Sequence, residues 1–195
     1  MKVDRLSRRE LNEIAAAFAD HKFQNGEKGS YYLCKGRQGR IGFVKGYAMF
    51  VIKSGAIYTT SQKREGYICI QTSEDKTSFG GICSFLNGVV KAMGIFGGIR
   101  WLINYVKGGF PVELFLRKRG YVHIRMLAVK KEYQGQGYMR RLVGIALALS
   151  KQRNVPCIVS TDCLDKAQKY EHFGFKLFRK RQMSENAYVS YAADS

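Results

Sequence analysis

The sequence predicts an α/β (α+β) fold, a mixed sheet flanked by helices in a layered arrangement. Three observations lead there. The C-terminal third alternates in the order strand, glycine loop, helix, strand, helix, strand, strand. The N-terminal part sets helical stretches around two short β-branched runs. The composition is that of a globular chain, with 46% hydrophobic and 25% charged residues among 195. That length buries a core without staples and suits one domain spanning 1–195, since only two prolines occur and no Ser/Gly/Pro linker divides it.

The elements follow in order. SRRELNEIAAAFAD (Ser7–Asp20) reads as a helix, with Ser7 as cap, Glu10 at capping-box spacing and Leu11, Ile14, Ala15 and Phe18 on one face. Residues 22–40 are Gly- and Lys-rich and read as a loop leading into a helix over Phe43–Ile52, where three aromatics and two valines leave a strand open. Ala56–Ser61 and Gly66–Thr72 alternate as strands, joined by the charged SQKRE. Apolar helices follow over 78–119. Tyr121–Val129 is a strand, Tyr138–Arg153 a helix broken by Asn154-Val155-Pro156, and Cys157–Ser160 the next strand. Asp162 can cap a short helix over 163–172 that Gly174 ends in a left-handed conformation. Phe175–Arg179 and Ala187–Tyr191 read as a hairpin across the basic KRQMSEN.

Charge and cysteine content narrow the function classes. Lys+Arg number 33 against 15 Asp+Glu, a net +18, which attracts anions: nucleic acid, acidic membrane or phosphorylated cofactors. The basic residues are spread along the chain, as a solvated surface also requires. The five cysteines are scattered with no Cys-x-x-Cys pair, which argues against a disulfide framework or zinc site and for a reducing cytoplasm. MKVDRLSRRE has no apolar core and does not read as a secretory signal. Within 78–106 the longest uncharged run, Ser78 to Val90, is 13 residues. That is short of the roughly 18–20 needed to span a bilayer, so two successive buried or pocket-lining helices are expected there.

YQGQGYM (Tyr133–Met139) carries the most chemistry. It sits between a strand and a helix, where backbone N–H groups and the positive helix end can hold an anion, and Arg140 and Arg141 add charge. It is neither a dinucleotide fingerprint, since the third small position is Arg140, nor a Walker loop, since no Gly-Lys-Ser/Thr follows. Taken alone, the glycines serve equally as a plain strand-to-helix turn.

Three pieces together resemble the GNAT superfamily of N-acetyltransferases. Leu127-Ala128-Val129 matches its strand-end triplet, Gln134-Gly135-Gln136-Gly137-Tyr138-Met139 its Gln/Arg-x-x-Gly-x-Gly/Ala loop, and Tyr170 ahead of Gly174-Phe175 its Tyr before Gly-Phe. The order and spacing agree over Met126 to Phe175. Ala16-Ala17-Phe18-Ala19-Asp20 and the apolar insert resemble the puromycin N-acetyltransferase-like subgroup. The chain departs from the pattern at Met139, where the family has Gly or Ala, and at Asp165-Lys166, where it often has Asn.

The resemblance implies a mostly antiparallel central sheet in which two strands splay into a V that receives acetyl-CoA. Residues 1–120 would be a variable, acceptor-side half and 121–195 the acetyl-CoA-binding core. Leu127, Ala128 and Val129 would bond the pantetheine arm, and Gln134, Gly135, Gln136, Gly137, Tyr138, Met139 and Arg140 would hold the diphosphate by backbone N–H groups. A neutral primary amine would attack the thioester directly. Tyr170 is the general-acid candidate, a phenol able to share its proton with the departing thiolate. His123, on the strand feeding the site, is a candidate base; Glu113 and Glu65 are others, and water chains need no dedicated residue. Lys166 is placed to contact cofactor phosphates. Three histidines (21, 123, 172) give no metal spacing, so no metal is expected. The acceptor expected is a small-molecule amine. Nucleic acid is open on the net charge, a homodimer is open, and no transmembrane span is expected. Two other classes compete: an RNA- or ribosome-associated binding protein on this fold, and a membrane-surface protein using 78–106.

Overall fold

The computed structural model describes all residues except 21–31, 108–112, 114, 115, 117, 163, 184, 185, 194 and 195. The early part of the expected 22–40 loop and most of the stretch after Lys107 lie outside the described residues. The described elements are β1 (Lys2–Val3), α1 (Arg8–Ala19), α2 (Gly36–Ser54), β2 (Ala56–Thr59), β3 (Gly66–Thr72), α3 (Phe79–Lys107), β4 (Val122–Val129), a 3-10 turn (Lys131–Tyr133), α4 (Tyr138–Arg153), β5 (Cys157–Thr161), α5 (Leu164–Glu171), β6 (Lys176–Met183) and β7 (Asn186–Ala193).

The strands form one seven-stranded sheet in the order β1-β2-β3-β4-β5-β7-β6. Every pairing is antiparallel except β4 with β5. That parallel pair needs a crossover, and α4 supplies it. α4 packs on one face of the sheet, where Ile68, Ile70, Val122, Ile124, Leu142 and Val143 form the main core. α1 and α2 cover β2 and β3 on a second core through Ile14, Ala48, Val51, Ile57, Tyr67 and Met126.

Helix α1 starts as its sequence dictates. Ser7 accepts from the Glu10 N–H at 3.2 Å, and Glu10 Oε2 accepts from the Ser7 N–H at 2.8 Å. The other carboxylate oxygen of Glu10 accepts from the Tyr67 hydroxyl at 2.6 Å and pairs with Arg64 at 2.8 Å, so the cap also ties α1 to β3.

The two apolar helices expected after residue 78 are the two halves of α3, broken where Gly94 takes φ +73° and ψ 174°, a conformation suited to glycine. Close contact of α3 with α2 is made by glycine. A Cβ on Gly88 would lie 2.8 Å from Gly46 Cα, and one on Gly46 would lie 2.9 Å from Gly88 Cα. Only one side of α3 is covered in this way. Phe79, Ile95, Phe96 and Val106 are exposed, so of the expected buried or pocket-lining helices α3 is the second, lining a cavity with Phe85, Trp101 and Tyr105. By length and composition α3 could cross a membrane, and its 18-residue apolar window is only 28% buried inside the fold, but the helix is broken at Gly94.

Other boundaries move for local reasons. α2 begins at Gly36, earlier than the aromatic run suggests, and Phe43–Ile52 is helical. β1, only two residues long, gave no periodic signal. The final hairpin is longer than expected, because the basic residues before Met183 are strand and pair from Lys176↔Ala192 to Met183↔Asn186. Gly174 takes φ +87°, and the Phe175 N–H returns to the Tyr170 carbonyl at 3.2 Å, closing α5.

Candidate active site

The site begins where β4 and β5 part. Their ladder holds only Val122↔Cys157, His123↔Ile158 and Ile124↔Val159. Beyond it β4 runs on to Val129 beside β3, and β5 runs on to Thr161 beside β7. The result is a V opening from Ile124 and Val159, as the resemblance implied. In an antiparallel pair, opposed residues alternate between exchanging hydrogen bonds and facing away. The Lys130 N–H donates to the opposed Glu65 carbonyl at 2.9 Å, which puts Ala128, opposite Tyr67, in a bonded pair. Leu127 and Val129 therefore turn their backbone groups toward the V, while those of Ala128 serve β3.

At the mouth of the V lies the glycine loop. Gly135 and Gly137 take φ +78° and +79°, the left-handed region that glycine enters without cost. A Cβ on either would meet nothing within 4 Å. The glycines are thus required by the turn and not by neighbouring atoms, and the space beside them is open. Gly137 is the N-cap of α4 and offers no side chain, so no cap satisfies the first N–H groups of that helix. No acidic residue occupies its first turn, where Arg140 and Arg141 stand. The flanking glutamines hold the loop's shape. Gln134 Nε2 donates to the Val129 carbonyl at 3.1 Å and Gln136 Nε2 to the Glu132 carbonyl at 3.0 Å. Tyr138 packs edge-on against Tyr133 at 5.6 Å and lies under Arg141.

At the inner end of the V is a cavity of about 440 Å³. Its floor is Ile124 to Leu127 on β4 and Val159 to Asp162 around the end of β5. Its roof is aromatic: Phe43 and Tyr47 from α2, Phe85, Trp101 and Tyr105 from α3. Phe43 meets Trp101 edge-on at 5.7 Å, and Trp101 stacks on Tyr105 at 5.4 Å. Tyr170 closes the α5 side.

Comparison with known proteins bears on this arrangement. The family described as acetyltransferase (GNAT) domain matches residues 89–177, from the middle of α3 to the start of β6. Over those residues the chain is similar to the GNAT acetyltransferase family. Solved structures share its fold. PH1933 from Pyrococcus horikoshii OT3 superposes with TM-score 0.54 at 17% identity, covering 100% of this chain and 96% of that one. Arylalkylamine N-acetyltransferase 2 from Aedes aegypti gives 0.58 at 11%, covering 97% and 96%. A histone acetyltransferase HPA2-type structure from Corynebacterium glutamicum gives 0.55 at 12%, covering 97% and 94%. No curated protein matches the sequence.

The expected site residues fall into groups. The loop 134–140 and the strand end 127–129 flank the V. Tyr170 is buried in the cavity wall, edge-on to Phe175 at 5.8 Å. Burial, then the nearby Cys157, pushes its phenol well above the ordinary range, so it stays protonated. Lys166 also lines the cavity, its ammonium 5.3 Å from the centre of the Phe18 ring.

The base candidates fare differently. His123 is 3% exposed and does not line the cavity. Its Nδ1 is 3.2 Å from Glu113 Oε1, without the alignment of a hydrogen bond. Burial and then the Arg125 charge lower its pKa to about 4, which weakens it as a base. Glu113 does line the cavity and binds Arg125 at 2.7 Å. Burial alone would raise its carboxyl, but His123 and Arg125 more than offset that, and it is ionised at neutral pH. Glu65 is occupied elsewhere, accepting from Thr60 and Ser61 at 2.6–2.9 Å in the β2–β3 turn. Among the described residues no group of three or more His, Cys, Asp or Glu is placed to hold a metal ion.

Two features escaped the sequence reading. The α2 share of the roof was one; Phe43, Tyr47 and Phe50 fall on one helical face, and that spacing was its signal. The other is Arg125, a charge in the middle of an apolar strand. It is fixed by Glu113 and by Gln71 Oε1, to which its Nε donates at 2.7 Å.

Proposed function

We propose that the chain is an acetyl-CoA-dependent N-acetyltransferase whose acceptor is the primary amine of a small molecule with an aromatic or apolar body. One observation carries this reading. The aromatic cavity is lined by residues of both arms of the V between β4 and β5, and the uncapped glycine loop follows the β4 arm. Acetyl-CoA supplies an activated thioester open to direct attack by a neutral amine.

The chain's residues do the rest. The N–H groups of 134–140 and the α4 N-terminus bind the diphosphate. Leu127 and the Val129 N–H offer the pantetheine arm a strand edge, as in β-strand addition. Tyr170 donates a hydrogen bond toward the sulfur; with its pKa raised, the proton is shared late and not released early. The aromatic roof holds the amine's body and excludes water. Glu113 and Asp162 in the cavity wall accept the amine's hydrogen bonds, and water relays its proton. In this reading residues 1–120 supply the acceptor side and 121–195 the cofactor core.

A panel of amines tested for thiol release from acetyl-CoA checks the assignment. Arylalkylamines, the class named for the Aedes aegypti structure, should react faster than aliphatic diamines and anionic amines. Equal or no amine-dependent release would refute the choice of acceptor. A second reading, RNA or ribosome binding on this fold, is favoured by the net charge of +18. It predicts strong, salt-sensitive RNA retention without acetyl transfer.

A further inference from the structure

The outward side of α3 is apolar along both of its halves. Before the break, Phe79, Ile82, Leu86 and Val90 are 39–80% exposed. At roughly 100° per residue they fall within an arc of about 80°. After it, Ile95, Phe96, Ile99, Ile103 and Val106 are 47–88% exposed and fall within an arc of about 100°. Single exposed apolar residues need no explanation, but a continuous run of this size does. Charge accompanies the run with one sign only. No Asp or Glu occurs from Ser78 to Lys107, and Lys91, Arg100 and Lys107 are all exposed. On the same helical projection Arg100 and Lys107 lie about 40° and 20° beyond one edge of the second half's apolar arc, whereas Lys91 lies about 100° beyond the first half's. Lys53 of α2 adds a fourth cation, its Nζ 3.3 Å from the Gly80 carbonyl and from Ser84 Oγ.

We propose that this face of α3 docks onto an anionic lipid surface, with its apolar side chains in the headgroup–acyl boundary and Arg100 and Lys107 reaching the lipid phosphates. Apolar residues flanked by cations on a helix match such a surface in both terms, hydrophobic and electrostatic. The helix lies on the bilayer and does not cross it. Its halves are about 22 and 20 Å long, against a hydrocarbon core of about 30 Å. The non-helical backbone at Gly94 would leave polar groups unpaired in that core. The face is mostly aliphatic, which suits acyl chains better than nucleic-acid bases, whose stacking calls for aromatic rings. The docking needs no acetyl transfer and is measurable without it.

The test is co-sedimentation of the full chain with vesicles of phosphatidylcholine alone, or with about one-third phosphatidylglycerol, the composition that supplies the anionic charge. The account predicts retention on the anionic vesicles, weakened by salt. The pair Phe96→Asp and Ile99→Asp should lower affinity by at least about tenfold. Arg100→Glu with Lys107→Glu should abolish the preference for anionic lipid. The milder pair Phe96→Ser and Ile99→Ser, with an unchanged melting temperature, guards against misfolding. Binding to anionic vesicles that the Phe96 and Ile99 variants leave intact would overturn the proposal, because net charge would then explain it. Absence of vesicle binding would also overturn it. A dimer that Phe96→Asp dissociates would then assign the face to a second copy, and salt-sensitive retention of single-stranded RNA would assign it to nucleic acid.

Discussion

Replacing Gly137 by alanine separates the two uses a glycine can have at this loop. Gly137 sits at φ +79° and caps α4. Alanine in that conformation costs about 1–2 kcal/mol of folding stability. No steric term adds to this, because a Cβ there meets nothing within 4 Å. For a chain of this size that lowers the melting temperature by about 2–4 °C per kcal/mol. The exposed Gly144 in the same helix is helical and open, so Gly144→Ala should return about 1 kcal/mol. The double variant should therefore melt near the parent. Its affinity for coenzyme A should nevertheless fall by at least about tenfold, some 1.4 kcal/mol, because the new methyl group occupies the space in which the diphosphate meets the helix N-terminus. Calorimetric titration with coenzyme A reads this directly, and thermal unfolding reads it independently. Ligand at about a hundred times its dissociation constant adds roughly 2.7 kcal/mol to the parent and should add much less to the variant. A double variant with parental stability and parental affinity would refute the cradle, and the glycines would then only turn the chain.

Tyr170→Phe should lower turnover by about 10²-fold while coenzyme A affinity holds, as expected for a lost donor to the leaving sulfur; steady-state kinetics beside calorimetry decide it. Gly88→Val drives a Cβ to within 2.8 Å of Gly46 Cα, so denaturant unfolding should show a loss of at least about 2 kcal/mol. Gly42→Ala, where a Cβ meets nothing within 4 Å, should be neutral or stabilising. Stability should also rise with pH through His123. Its folded pKa is depressed to about 4 by burial and Arg125, and the unfolded value is about 6.5. The unfolded chain binds the extra proton between these values, so stability grows across that window and is flat on this account above it. The gain is at most about 3 kcal/mol, and His123→Gln should flatten the slope between pH 5 and pH 7 in urea titrations.

Much of the cofactor side was legible because its signals are local. A left-handed glycine is a property of one residue's backbone, so Gly135, Gly137 and Gly174 could be placed from sequence and adopt positive φ. The Ser7 and Glu10 pair was readable for the same reason, since its partners are three residues apart. β6 was misjudged because its basic run looks like a loop. It is an edge strand, where charge is tolerated and deters unwanted pairing. The acceptor side was harder. α3 is apolar around most of its circumference, and periodicity does not tell the side that meets α2 from the side left exposed. The cavity roof depends on glycine contacts between helices more than thirty residues apart in sequence, such as Gly46 with Gly88. Arg125 and Glu113 find each other only in the fold, where burial and then the Arg125 charge lower the pKa of their neighbour His123.

The central claim is acetyl transfer to an amine held under the aromatic roof. Its most direct test mixes the purified chain with acetyl-CoA and an arylalkylamine, then follows free thiol and acetylated product together by mass spectrometry. The account predicts one coenzyme A released for each amide formed, at a rate that depends on the amine and collapses in Tyr170→Phe. Coenzyme A binding with no amine-dependent release and no amide would contradict it.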